Sequence, residues 1–359
     1  MAVYISLTIL TVFLSLLIVP AYSIEGSTLT VQKAVNKAAL WLVFGMLFAV
    51  SACRIAVGND YWVYRQYILL IADNRHVATE FGFNWLVRLI QFLTQNDECY
   101  LMVLGIFSFA TVYLFVKSIY EQSAWFAGSL FLLLTGGYYF LSLNSVRYYF
   151  ALALAMCAMH QVIKGDYLKF ILMVLTGACF HKSILVILIL YPLAKIKWKK
   201  WVFALGAAIC VSMIFLKDLY RRIIFLFYPY YENSMFDTGD VSIVNILKSV
   251  AVVVFALIYY KQSIKDNDNN RFYLNLQIGS LMLYCFGSFI PEISRIGYYM
   301  NVSMVFLIPG IITKIENKRR KIFFTVVIAA AFILFFAVFL HGAYDVSIRI
   351  LPYRNWIFD

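Results

Sequence analysis

CYLMVLGIFSFATVYLFVKS, residues 99–118, has one charged side chain, Lys117, in twenty positions. A helix needs about 20 mostly apolar residues to cross roughly 30 Å of hydrocarbon, and this stretch meets that requirement. IFFTVVIAAAFILFFAVFLH, residues 322–341, meets it with no Lys, Arg, Asp or Glu. Outward from these two, comparable segments occupy 3–22, 36–54, 124–142, 146–163, 201–217, 242–260, 272–290 and 295–313. Two shorter pieces, 168–180 and 183–194, flank His181-Lys182 and read as short tilted spans or a re-entrant pair, because irregular backbone at membrane depth needs cover from protein or a cavity.

The pattern predicts an all-α integral membrane protein of about 11–12 transmembrane helices. Its composition agrees: of 359 residues 63% are apolar and 13% charged, with a mean hydropathy of +0.82, against roughly 45–50% and 25% in soluble domains. No linker or low-complexity stretch interrupts it, so one polytopic domain is expected over 1–359, with an outer loop at 55–98, a second at 217–241 and an outer C-terminal tail at 342–359. Residues 3–22 follow no basic region and precede no clear cleavage site before Glu25, and are read as a span rather than a leader. The six cysteines lack CxxC spacing, which leaves buried free thiols rather than a metal site or a disulfide framework.

The net charge of +12 lies between apolar segments rather than along a soluble face, which argues for topology and against nucleic acid. With twelve crossings the basic loops alternate strictly with the poor ones. One face collects 14 Lys and only Arg271, Arg319 and Arg320, and the positive-inside rule makes it cytoplasmic. The remaining 13 basic residues are ten Arg with Lys182, Lys217 and Lys248. Arginine grips phosphate oxygens with a planar fork, so an arginine-rich outer face points to an anionic ligand. The plainer reading pairs these arginines with outer carboxylates, and it has least sequence support at Arg147 and Arg295, which flank helix mouths with few acidic neighbours.

The first outer segment contains VGNDYWVYRQY (57–67) and TEFGFNWLVR (79–88), both read as amphipathic surface helices. Asp60 has two readings: a cap for the first helix, a place Asn59 can also take, as Thr79 is for the second, or a general base facing a substrate hydroxyl. Further along, Ser145-Val146-Arg147-Tyr148-Tyr149 opens a helix with a charge that is costly there unless it is paired or functional. His181, at the break between the two short segments, could act as a cation or donor beside a leaving phosphate. In PEISRIGYY (291–299), Arg295 and Tyr299 are four residues apart, and a surface pair of Arg295 with Glu292 is the alternative. No HExxH, P-loop, GxSxG or dinucleotide motif is present.

Val57-Gly58-x-Asp60-Tyr61-x-x-Tyr64, Glu80-Phe81-Gly82-Phe83, Ser145-Val146-Arg147, Phe180-His181-Lys182-Ser183 and Ile293-Ser294-Arg295-x-x-x-Tyr299, in that order over roughly residues 40–315, resemble the EpsG/Wzy polysaccharide polymerases. The resemblance implies a glycosyltransferase of the bacterial inner membrane, working on the periplasmic side in O-antigen, lipopolysaccharide or exopolysaccharide assembly. Such enzymes join undecaprenyl-diphosphate-linked repeat units, with a chain-length regulator and a flippase as candidate partners. The outer loop also looks like that of GT-C glycosyltransferases, where two juxtamembrane helices follow a span ending at an acidic residue. Asp60 or Glu80 is then the base and His181 assists. Arg147, Arg295, Arg221 and Arg222 face the diphosphate, and Tyr61, Tyr64, Tyr148 and Tyr299 face sugar. No metal or cofactor is expected. The rival readings are a lipid-linked oligosaccharide flippase and a membrane O-acyltransferase using His181.

Overall fold

In the computed structural model, which describes residues 1–20, 30–197, 199–227, 232 and 241–358, helices form nearly all the regular structure. The first nine are α1 (Ala2–Ser15), α2 (Thr30–Ala52), α3 (Tyr61–Ala72), α4 (Phe81–Thr94), α5 (Tyr100–Gln122), α6 (Phe126–Thr135), α7 (Tyr138–Leu141), α8 (Val146–Lys164) and α9 (Tyr167–Ala178). After a 3-10 turn at Lys182–Val186 come α10 (Ile187–Ala194), α11 (Lys200–Phe215), α12 (Lys217–Phe227), α13 (Ile243–Ile258), α14 (Tyr260–Ser263), α15 (Asp268–Phe286), α16 (Ile293–Asn301) and α17 (Met304–Lys314). Helix α18 (Lys318–Gly342) ends the series. Among the described residues the one isolated β-bridge pairs Arg54 with Asn355.

Among the described residues, five helical stretches are long and apolar enough to cross a bilayer: most of α2, α5, α8, the α16–α17 pair and α18, and six further apolar helices are shorter. The chain is an all-α membrane protein. Several expected spans are subdivided. Residues 124–142 break at Gly136-Gly137 into α6 and α7, 295–313 breaks at Val302-Ser303, and the first span is helical only to Ser15. The helix of α18 exposes Phe323, Val326, Leu334 and Val338, an apolar face that only lipid can solvate without cost.

The chain forms two compact units, residues 1–185 with 312–359, and residues 186–311. In the first, α8 is the central helix, packed by α5 on one side and α9 on another. Its run Ala151 to Met159 is almost wholly buried, and four alanines in it allow close backbone approach. In the second, α15 packs against α10, α13 and α16. Neutral polar groups bind these helices: Gln277 Nε2 donates to the Asn301 carbonyl (2.6 Å) and to Ser303 Oγ (2.9 Å), and Asn301 Nδ2 donates to Ser249 Oγ (2.8 Å).

All six cysteines are free, but against the expectation of buried thiols only Cys99 and Cys157 are buried: Cys53 and Cys210 are half-buried, and Cys179 and Cys285 are exposed. Of the second outer loop, α12, Glu232 and Val241 are described. Most of 228–240, with the carboxylates Asp237 and Asp240, lies outside the described residues, as does Asp359.

Candidate functional site

Ser145 precedes the first turn of α8, where its hydroxyl would ordinarily bond a backbone N–H of the helix. It makes no such bond. Instead Ser145 Oγ donates to Asp60 Oδ2 at 2.8 Å, and Asn144 Oδ1 accepts the Asp60 backbone N–H at 2.9 Å. The approach that allows this depends on Gly58, at φ +95°: a Cβ there would lie 2.7 Å from the Leu143 carbonyl oxygen. Asp60 is therefore fixed from both sides of its Cα. It stands at the start of α3 without capping it, and Thr79 does not cap α4, since Glu80 holds that position and Thr79 bonds Asn84.

Two residues beyond Ser145, Arg147 forms an ion pair with Glu80 across 67 positions of sequence, both side chains about 15% exposed. The guanidinium also lies over the Phe83 and Tyr64 rings, at 5.4 and 5.8 Å. Burial raises the Tyr64 hydroxyl pKa, with the charge of Arg147 pulling the other way and that of Asp60 adding to the rise. The second oxygen of Glu80 accepts the Lys182 backbone N–H at 3.2 Å. Gly82, next in the same motif, donates its N–H to the Cys179 carbonyl at 2.7 Å, and a Cβ at Gly82 would stand 2.6 Å from that oxygen. Phe180 then fits its ring edge-on between Phe107 and Phe150. His181 Nδ1 is 2.7 Å from Ser183 Oγ, and its ring lies 5.4 Å from that of Tyr148.

Four motifs separated by as many as 120 residues thus meet in the first unit. Asp60, Glu80, Arg147 and His181 are brought into one hydrogen-bonded and ring-stacked neighbourhood. Tyr61, Tyr64 and Tyr148 are buried within it, at 5% exposure or less.

The fifth motif is in the second unit. Arg295 pairs with Glu292 at 2.9 Å, three residues away in sequence, the alternative that the sequence offered, so both Arg147 and Arg295 have carboxylate partners. Tyr299 is fully buried and its carbonyl accepts the Tyr191 hydroxyl at 2.6 Å. Arg222 is exposed on α12, while Arg221 lines a cavity there and lies 5.2 Å from the Phe225 ring.

Sequence reading missed the role of the C-terminal tail. Ile55 N donates to the Arg354 carbonyl (3.1 Å), Trp356 N to Cys53 O (3.0 Å), Gly58 N to Arg349 O (2.9 Å) and Asn59 N to Ile348 O (3.1 Å). Tail residues 348–356 therefore run as a strap along the backbone that leads into Asp60. Tyr4 of α1 holds the strap through the Ile350 carbonyl (2.7 Å). Beside it Arg54 is fully buried, bonded to the Ser51 carbonyl and to Ser108 Oγ of α5 (3.0 Å). The only sequence signal was the polar cluster Pro352-Tyr353-Arg354-Asn355 after the last apolar segment.

The model of one protein family, EpsG, matches residues 37–355. The match takes in all five motifs and nearly the whole strap. No curated protein and no solved structure matches the chain.

Proposed function

The chain belongs to the EpsG family of Wzy-type polysaccharide polymerases, and from that premise we propose that it joins polyprenyl-diphosphate-linked repeat units with Asp60 as the general base. The observation that carries the choice of Asp60 is the unequal engagement of the two carboxylates. Glu80 has one oxygen on Arg147 and the other on the Lys182 amide, whereas the contact of Asp60 through Oδ2 is to a neutral hydroxyl, Ser145. Glu80 is thus a structural counter-ion that aims Arg147, and Asp60 has lone pairs left for a substrate proton.

In this reading the acceptor sugar hydroxyl gives its proton to Asp60 as its oxygen bonds to the anomeric carbon of the donor. The bond from that carbon to the diphosphate oxygen breaks, and its electron pair leaves with the diphosphate. Such a leaving group needs fixed positive charge rather than a proton. Arg147 supplies it, held in place by Glu80 and by two aromatic faces, with His181 and Lys182 on the adjoining turn.

Helices α3 and α4, which follow α2 directly and bury one face each, support a GT-C-like arrangement. The lysine-rich loops between the other helix ends support a periplasmic site in an inner membrane, since the more basic loops stay on the cytoplasmic face.

The test is gel analysis of surface glycan from a deletion strain carrying Asp60→Asn. Single repeat units should accumulate at unchanged protein level. Normal long chains would reject Asp60 as base, and loss of all outer product in the deletion strain would indicate a flippase.

A further inference from the structure

In the second unit an apolar groove of about 450 Å³ runs along α11 and α15, with α10 on its flank, and a cavity of about 470 Å³ follows it. Met213 lines both. Residue numbers rise together on the two helices, from Leu205 and Asn275 in the groove to Ile214 and Cys285 in the cavity, so the two are successive levels of one cleft. Their chemistry differs sharply. The groove is walled by Trp201, Leu205, Met282 and Met300, whereas the cavity presents Lys217, Arg221, Asp218 and Ser288.

This is the outline of an amphiphile: an apolar channel ending at two cations set against one carboxylate. Trp201, Leu205 and Ile209 are about half exposed along the groove, so it opens sideways on an apolar surface, where a chain can enter from the bilayer without passing through water. Lysine and arginine together suit a phosphorylated head, the guanidinium gripping two oxygens and the ammonium adding charge.

We propose that the second unit binds an isoprenoid phosphate lipid, its chain along α11 and α15 and its phosphate at Lys217 and Arg221. The head-group chemistry comes from the cleft itself; the choice of an isoprenoid over a diacyl lipid rests on the polymerase reading. Gly206 offers a direct way to block the groove while leaving the charges intact. A Cβ there meets Met282 at 3.7 Å, an ordinary contact, so a longer side chain would extend into the channel.

The full-length protein in phosphatidylcholine nanodiscs is labelled with a photoreactive polyprenyl diphosphate, and the labelled peptides are mapped. Labelling should fall on α11 or α15. It should weaken about tenfold in Lys217→Gln/Arg221→Gln, from lost charge-assisted bonds, and similarly in Gly206→Leu, with thermal melting confirming that both variants fold. Excess unlabelled polyprenyl diphosphate should compete, and inorganic diphosphate or phosphatidylglycerol should not. Competition by phosphatidylglycerol would reveal a general lipid surface, and competition by inorganic diphosphate alone an anion site; either overturns the proposal. So does labelling that maps elsewhere or persists in both folded variants. Labelling needs no chain elongation, so an unlabelled groove in a protein that still elongates chains rejects this site alone, and a labelled groove in one that makes no polymer rejects the polymerase reading alone.

Discussion

The two units use charge in opposite ways. In the first, an ion pair closes across 67 residues, and the start of α8 that supplies Arg147 is preceded by Ser145, which bonds Asp60. In the second, the corresponding pair is local, Arg295 to Glu292 three residues away, and long-range ties are made by neutral amides and hydroxyls such as Gln277 and Asn301. Long-range charge pairing makes several segments depend on one another. Local pairing leaves the helix packing to neutral contacts and leaves Lys217 and Arg221 at a cavity wall. The first unit is therefore built to hold one geometry, and the second to receive something.

The contrast breaks most severely at Arg147. Arg147→Gln strands Glu80 with its charge partly buried, which costs about 3–5 kcal/mol and should abolish elongation with a lower melting temperature in nanodiscs. Glu80→Gln made in the same background should recover much of the stability but none of the activity. A melting curve unchanged by Arg147→Gln would show that the pair does not organise the unit.

Gly82→Ala should be the next largest. Its Cβ would collide with the Cys179 carbonyl, an overpacking cost of about 1–3 kcal/mol, whereas Gly105→Ala on α5 meets nothing within 4 Å and should be neutral or stabilising by about 0.5–1 kcal/mol. Equal melting temperatures for the two variants would remove the docking of the α4 start onto Cys179 as a constraint.

A smaller effect tests the strap. Tyr4→Phe loses one buried hydrogen bond to Ile350, about 1 kcal/mol, and should lower the elongation rate more than the affinity for lipid-linked acceptor if the strap positions Asp60. A change in affinity with unaltered rate would assign the strap to another role.

The smallest is expected in the second unit. Arg295→Ala removes a pair whose arginine is a third exposed, worth under about 1 kcal/mol, and melting should scarcely move. A loss as large as that for Arg147 would erase the difference between the units.

Much of this was legible in the sequence. Residues 99–118 and 322–341 announce membrane helices because some twenty mostly apolar residues in a row have no other stable environment, and Gly58, Asp60, Glu80, Gly82, Arg147 and His181 stand out as polar or small residues at the ends of such segments or in the outer loop between them. The lysine and arginine division, too, is a property of order along the chain. What sequence could not supply was partnership. Nothing near Arg147 in the chain identifies Glu80 as its counter-ion, and Thr79 looks as good a helix cap as Glu80 until the backbone is traced. Nor does the chain show that Tyr4 and Ile350, 346 positions apart, meet beside the segment that carries Asp60. Apolar periodicity is read locally and decides where helices form. Which carboxylate is spent on an arginine and which retains a lone pair depends on contacts that close only when α3, α4, α8 and the C-terminal strap have packed.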